Sequence, residues 1–378
     1  MALSKVDLAN QVENQLPQSL VADNVNFRNI IINGDMSIAQ RGTSASSLTG
    51  SSYETVDRFK QEISSQGTWT QSQSTDVPSG QGFATSLKMD CTTADASPSA
   101  NDSLFLKQKI EGQNLQYLKK GTSSAESTTL SFWVKSNKTG TYIARLRDAD
   151  NTRSTSKSYT ISSADTWEKK TITFDGDTTG ALTNDNGTSL QLYFYLGAGS
   201  NYTSGTLATS WEANTNANNA VGQVNLADST ANEWYITGVQ LEAGTAASDF
   251  EFLPYDINLR RCQRYYYKLS TSGQKFVGFA QVDNDDLNCP AIIDFKVDMR
   301  TAPTSVETPS AATSYRLREA LTYNCTAVPS FNNATVFNST LAFRRSGITS
   351  SDGFAQGELL KATLNSAILA WSAELWLL

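Results

Sequence analysis

From residue 27 onward, apolar and polar side chains alternate in short runs rather than recurring every three or four positions. In Thr128–Val134, Leu130, Phe132 and Val134 fall at period two, the spacing of a strand with one face buried. The pattern predicts strands at 27–32, 56–63, 86–89, 105–110, 128–134, 141–147, 167–174, 190–195 and 233–241. Polar turn clusters separate them, such as Asp175-Gly176-Asp177 and Asn184-Asp185-Asn186-Gly187. Nothing helical is long enough to cross over between parallel strands, so residues 27–254 read as antiparallel sheets in a jelly-roll sandwich. A second run of strands, at 276–281, 291–297, 315–321, 335–343 and 357–365, predicts a smaller C-terminal β-sandwich over 269–378, which Leu375–Leu378 would close. Residues 255–268, with Arg260, Arg261 and Arg264 ahead of Tyr265-Tyr266-Tyr267, read as a short helix and connector that packs by ion pairs.

Residues 1–26 differ. They hold no glycine and no aromatic ring before Phe27. Ser4 to Asp7 fits a helix-start capping box, and Leu8, Val12 and Leu16 recur at a spacing of four until Pro17. A helix of about ten residues with one narrow apolar stripe is marginal alone in water, so this segment is expected to attach to another surface.

Composition narrows the chemistry. The 378 residues are 39% hydrophobic, 10% aromatic and 18% charged, with a net charge of -7. That balance speaks against a nucleic-acid surface, which needs clustered Lys and Arg. No stretch reaches the ~18 apolar residues of a membrane span, and Met1–Pro17 lacks the apolar centre of a secretory signal. Histidine is absent, which excludes Ser-His-Asp and Cys-His catalysis and imidazole metal sites. Cys91, Cys262, Cys289 and Cys325 stand too far apart for CxxC chemistry. They read as buried thiols or, alternatively, as one long bridge such as Cys289–Cys325.

A series of segments in order carries a resemblance. It runs from Asn29-Ile30-Ile31-Ile32-Asn33-Gly34-Asp35-Met36 through Val56-Asp57-Arg58-Phe59, Ser131-Phe132-Trp133-Val134-Lys135-Ser136 and Thr166-Trp167-Glu168-Lys169-Lys170. It closes on Glu233-Trp234-Tyr235-Ile236-Thr237-Gly238-Val239-Gln240-Leu241-Glu242-Ala243-Gly244, Phe250-Glu251-Phe252-Leu253-Pro254-Tyr255 and Cys262-Gln263-Arg264-Tyr265-Tyr266. With Leu3-Ser4-Lys5-Val6-Asp7-Leu8-Ala9 at the start, residues 1–270 resemble bacteriophage tail-fibre and virion structural proteins that carry a jelly-roll module like those that bind carbohydrate. Beyond that, the main matching piece is Phe295 to Thr304.

The resemblance implies a non-enzymatic virion protein, assembled in the host cytoplasm. Its first reading is a tail fibre or receptor-binding protein that attaches to host surface glycan, as a homotrimer held to other virion proteins by the N-terminal segment. Two other readings are a capsid decoration or head-fibre protein and a capsule polysaccharide depolymerase. Such modules often hold a structural calcium after the opening strand. Asp35 matches that position, but Thr237-Gly238 stands where the paired carboxylate belongs, so no cofactor is favoured. Sugar recognition needs aromatic faces beside hydrogen-bonding groups. Trp69, Tyr202 and Trp211 lie in polar loop contexts and are the candidate glycan platforms, whereas Trp133 and Trp167 sit in strands and are expected in the core. No catalytic residue is assigned; the acidic pairings Asp283, Asp285, Asp286 and Glu54, Asp57 read as solvated turns.

Overall fold

The computed structural model describes residues 27–282, 288–318, 322–344 and 359–374. The segment with Leu8, Val12 and Leu16, the acidic loop with Asp283, Asp285 and Asp286, and the closing Leu375–Leu378 lie outside the described residues. The chain divides into two compact units between Leu253 and Pro254.

Unit 1 contains, in chain order, β1 (Ser44–Leu48), β2 (Lys60–Ser64), β3 (Thr68–Ser74), β4 (Ser86–Thr93), β5 (Ser103–Glu111) and β6 (Thr128–Ser136). There follow β7 (Gly140–Asp148), β8 (Arg153–Ile161), β9 (Glu168–Phe174), β10 (Thr188–Ala198), the one-turn helix α1 (Ser200–Thr203), β11 (Glu212–Ala213) and β12 (Glu233–Ala243). They form two antiparallel six-stranded sheets, in the orders β1-β3-β4-β12-β6-β9 and β11-β8-β7-β10-β5-β2. The inward residues of both sheets share one core, where Phe132 of β6 meets Tyr159 of β8 and Phe194 of β10 edge-on at 5.0 and 5.1 Å. This is the all-β jelly-roll sandwich that the alternation predicts.

The structure corrects the sequence reading in places. Residues 27–32 are not a ladder strand. Their backbone is satisfied largely by side chains. Asn29 Oδ1 accepts from Ile31 N and Leu241 N, its Nδ2 donates to Val239 O, and the Gln108 amide both accepts from and donates to the Ile32 backbone. Gly34 then passes so close to β12 that a Cβ there would stand 2.0 Å from Val239 O. Strands β1, β3, β8 and β11 are additions. Their inward positions include polar side chains, such as the fully buried Gln71, which bonds Thr55 and Gln61.

Unit 2 begins with helix α2 (Tyr255–Gln263), followed by β13 (Tyr266–Ser270), β14 (Gln274–Gln281), β15 (Asn288–Asp294), β16 (Tyr315–Arg318) and β17 (Thr322–Asn324). It ends with β18 (Ala327–Ala334), β19 (Asn338–Arg344), β20 (Leu359–Asn365) and β21 (Ile368–Ser372). Seven strands pair antiparallel in the order β17-β16-β20-β14-β15-β19-β18, and β13 pairs with β21 as a separate ribbon. Tyr267 and Trp371 of the ribbon pack with Ile293, Tyr315, Leu341 and Leu364 of the larger sheet, so the two layers enclose one core. Tyr265, Tyr266 and Tyr267 are buried.

Candidate functional site

The outer face of the first sheet carries a recess. Because Leu130, Phe132 and Val134 of β6 point into the core, Ser131, Trp133 and Lys135 must point out. Register places Trp133 between Lys169 of β9 and Thr237 of β12. The pairing of β12 with β6 shifts between Thr237 and Gln240, and Gly238 sits in that irregularity at φ +62. A Cβ at Gly238 would lie 2.6 Å from the Phe83 ring, so glycine there lets Phe83 settle on the sheet.

Above this spot the chain folds back twice. The loop Gly80–Phe83 comes from one side and Asp249–Phe252 from the other. Phe83, Phe250 and Phe252 meet with ring centroids 4.9–5.1 Å apart, two of the pairs edge-on. Together with Trp133 they wall a cleft of about 280 Å³, whose floor is Ser131 and Gly238. Gln81, Lys169 and Asp249 are exposed at its rim. The Phe250–Phe252 wall is itself tied down, because Glu251 holds the Phe27 and Asn29 amides and its own N–H donates to Gln240.

Two residues further along β6 the same face continues as a band of rings and ion pairs. Trp167 and Tyr235 meet edge-on at 6.2 Å, and the Lys135 ammonium lies 4.4 Å from the Tyr235 ring centre. Lys88 pairs with Glu233 at 2.5 Å, and its ammonium lies 5.4 Å from the same ring centre. Asp76 receives Lys135 and Trp167 Nε1. Burial pushes the Asp76 carboxyl up, but those two hydrogen bonds outweigh it and hold the group below its ordinary range. Burial and the hydrogen bond with Glu233 push the Tyr235 hydroxyl up to about 12, so it stays protonated as a donor.

The platforms expected from sequence lie elsewhere. Trp69 is 0% exposed in the core, its Nε1 donating to Gln66 O at 2.8 Å, so neither ring face is open to a sugar. Tyr202, on α1, packs against the cluster of Ile143, Tyr193, Tyr195 and Ala220. Trp211 donates to Asp175 O and carries the Lys120 ammonium 3.5 Å from its ring centre. The three rings belong to separate surroundings and make no common platform. Trp133 and Trp167, expected in the core, are half-buried and face outward. The alternation of Leu130, Phe132 and Val134 was the signal that could have placed Trp133 outside. Asp35 closes a turn, its Oδ1 accepting from Ser37 Oγ at 3.0 Å. Among the described residues no three His, Cys, Asp or Glu side chains gather in a way that could hold a metal ion. Asp57 is buried and takes the Gln40 backbone and side-chain amides. All four cysteines are buried.

The cleft offers ring faces, an amide, an ammonium and a carboxylate, which is equipment for non-covalent recognition. No family model matches the sequence, and no curated protein matches it. Among solved structures, the enzymatically active domain of tailspike protein 4 from bacteriophage CBA120 aligns over 58% of this chain at 15% identity and a TM-score of 0.30. This chain spans 22% of that protein's length. The module TmCBM61, solved with β-1,4-galactotriose, aligns over 57% of this chain and 99% of its own at 10% identity and a TM-score of 0.28. The CBM22-1 xylan-binding domain of Paenibacillus barcinonensis Xyn10C aligns over 56% of this chain and 100% of its own, at 11% identity and a TM-score of 0.25. Likeness at that level carries no argument about what this chain binds.

Proposed function

We propose that unit 1 is a non-catalytic glycan-binding module, and that the chain serves as a virion attachment protein of the tail-fibre or receptor-binding type. The observation that carries the binding is the cleft walled by Trp133, Phe83, Phe250 and Phe252 with Gln81, Lys169 and Asp249 at its rim. The C–H face of a pyranose stacks on such rings, and rim groups of both charges hydrogen-bond its hydroxyls. Glycoside hydrolysis calls for two carboxyl groups about the scissile bond, and the cleft lining supplies Asp249. The virion assignment rests on the ordered sequence resemblance over residues 1–270.

The test is calorimetric titration of the purified protein with neutral oligosaccharides that bind it on a glycan array. Trp133→Ala is expected to weaken such binding by about tenfold or more, the range of a lost stacking contact, without shortening the oligosaccharide on prolonged incubation. No neutral glycan bound, or affinity unchanged in Trp133→Ala, would overturn the reading of the cleft.

A further inference from the structure

The outer face of the second sheet gathers a different chemistry. Strands β7, β10, β5 and β2 are neighbours there, and their registers set side chains in rows. Arg147, Gln191 and Lys109 make one row. Arg145, Tyr193, Lys107 and Lys60 make the next, and Tyr195, Phe105 and Glu62 the third. Among the described residues of these rows the basic side chains are Lys60, Lys107, Lys109, Arg145 and Arg147, of which burial draws Lys109 down to about 7, against the single carboxylate of Glu62, in a chain of net charge -7. Glu111 follows at the end of β5 and holds the Gln113 amide.

The groups are built in rather than loosely solvated. Glu62 Oε1 takes Lys60 Nζ at 3.0 Å and Lys107 Nζ at 2.5 Å. Tyr193 lies between cations, with Arg145 5.0 Å and Lys107 5.4 Å from its ring centre. Arg145 is 3% exposed and donates to Asn214 Oδ1, but its buried Nε has no hydrogen-bond partner. The buried Gln191 accepts from Tyr193 while its Nε2 also lacks a partner. Two donors set into one face without an acceptor ask for one. Burial pulls Lys107 down, and Arg147 and Arg145 add to that against the pull of Glu62. Like charges gathered at low exposure are costly unless an anion pairs with them. Phe105, Arg147 and Glu62 are half-buried and form the open side. At the other end Tyr202 and Leu207 pack over Tyr195 and Ile143.

We propose that this face binds an acidic saccharide, its anionic groups meeting Arg147 at the open side, with the buried charges of Arg145 and Lys107 behind it, and one pyranose ring lying on Phe105. Arg147 and Phe105 stand in rows four residues apart along the sheet, ~13 Å, so the ligand spans several sugar units. Guanidinium groups match carboxylate and sulfate oxygens in pairs, and Glu62 accepts from sugar hydroxyls. The site lies apart from the Trp133 cleft and shares with the proposed function only the reading of unit 1 as glycan-binding.

The experiment titrates the full chain with a polygalacturonate hexasaccharide, a neutral galactan hexasaccharide and inorganic sulfate. The acidic hexasaccharide is expected to bind, about tenfold more weakly in Arg147→Gln and in 0.5 M salt. Phe105→Ala should weaken it several-fold, and Trp133→Ala should leave it unchanged. Arg147→Lys, which keeps the charge and loses the fork, should fall between wild type and Arg147→Gln, and unfolding midpoints should show that each variant folds. Sulfate bound as tightly as the hexasaccharide and indifferent to Phe105→Ala would reduce the face to an adventitious ion site and overturn the proposal. So would no binding of the acidic hexasaccharide, or binding unaffected in folded Arg147→Gln. Loss of the neutral-glycan result alone, with the acidic result intact, would overturn the cleft and leave this site standing.

Discussion

At the scale of single residues, what decides a tryptophan's role here is the side of the sheet it leaves by, and neighbouring charge then fixes its use. Trp69 leaves inward and is core, Trp133 leaves outward and walls a cleft, and Trp211 caps a lysine. That lysine, Lys120, is 7% exposed and its Nζ has no hydrogen-bond partner. Burial drives its ammonium down to about 8, with Asp177 and Asp148 pulling the other way. A folded pKa below the ordinary 10.5 means that the unfolded chain binds more protons between about pH 8 and 10.5, so stability rises with pH across that window. Buried Tyr142 and Tyr159 act oppositely above about pH 10, because burial raises their folded pKa and unfolding then releases protons. With both lowered lysines, Lys120 and Lys109, unit 1 should therefore gain ~2–5 kcal/mol between pH 7.5 and 9.5, at ~1.4 kcal/mol per unit of separation, and lose stability again above about pH 10. Urea unfolding at the two lower pH values checks this. Lys109, which burial draws down to about 7, acts in the same sense, so Lys120→Met should reduce the rise without abolishing it, and an equal rise in that variant would show that Lys120 does not contribute.

At the scale of elements, legibility followed the burial of polar side chains. Strands β5, β6, β10 and β12 could be read because each sets apolar residues at period two on its inner face, as Leu104 and Leu106 do in β5 and Leu190, Leu192, Phe194 and Leu196 in β10. Strands β3 and β8 could not, because Gln71, Ser154 and Ser156 are fully buried and look like loop residues in a hydropathy pattern. The opposite error fell on residues 27–32, where Ile30-Ile31-Ile32 looks like a strand but Asn29 supplies the bonds that a ladder would. The cleft was illegible for a related reason. Phe83, Trp133, Gly238 and Phe250 meet through sheet register and a shift in it, which no local pattern encodes. Asn29 gives the test at this scale. Asn29→Ala strands the Ile31 and Leu241 amides and the Val239 carbonyl together, and should cost about 2–4 kcal/mol as buried groups lose partners. Asn29→Asp keeps the acceptor but sets a buried carboxylate oxygen against the Val239 carbonyl beside Glu251, and should cost at least as much. Denaturant unfolding that shows less than about 0.5 kcal/mol of loss for the alanine variant would mean that the segment is not anchored in this way.

At the scale of the whole molecule, the size of the cleft sets how the protein must work if it binds glycan. Ligand pockets run ~300–1,000 Å³, and at about 280 Å³ this one has room for a sugar ring or two. Contacts of that extent give weak single-site affinity, so stable attachment needs several copies held together, and effective concentration can then multiply affinity ~10²–10⁴-fold. The N-terminal sequence offers the means. A short stripe of Leu8, Val12 and Leu16 is too narrow to stabilise a helix alone, but copies packed around a common axis would bury it. We therefore expect a homotrimer, with a sedimentation mass three times the 41.1 kDa of one chain at micromolar concentration. Removing residues 1–26 should return a monomer whose affinity for a soluble oligosaccharide is unchanged, while its retention on an immobilised polysaccharide falls ~10²-fold or more. Unit 1 draws its core from residues 30–241 and unit 2 from residues 267–373, so both should stay folded in that variant. A monomeric mass for the full chain would remove the trimer and with it the avidity account. Unchanged retention after the deletion would show that the segment does not hold the copies together.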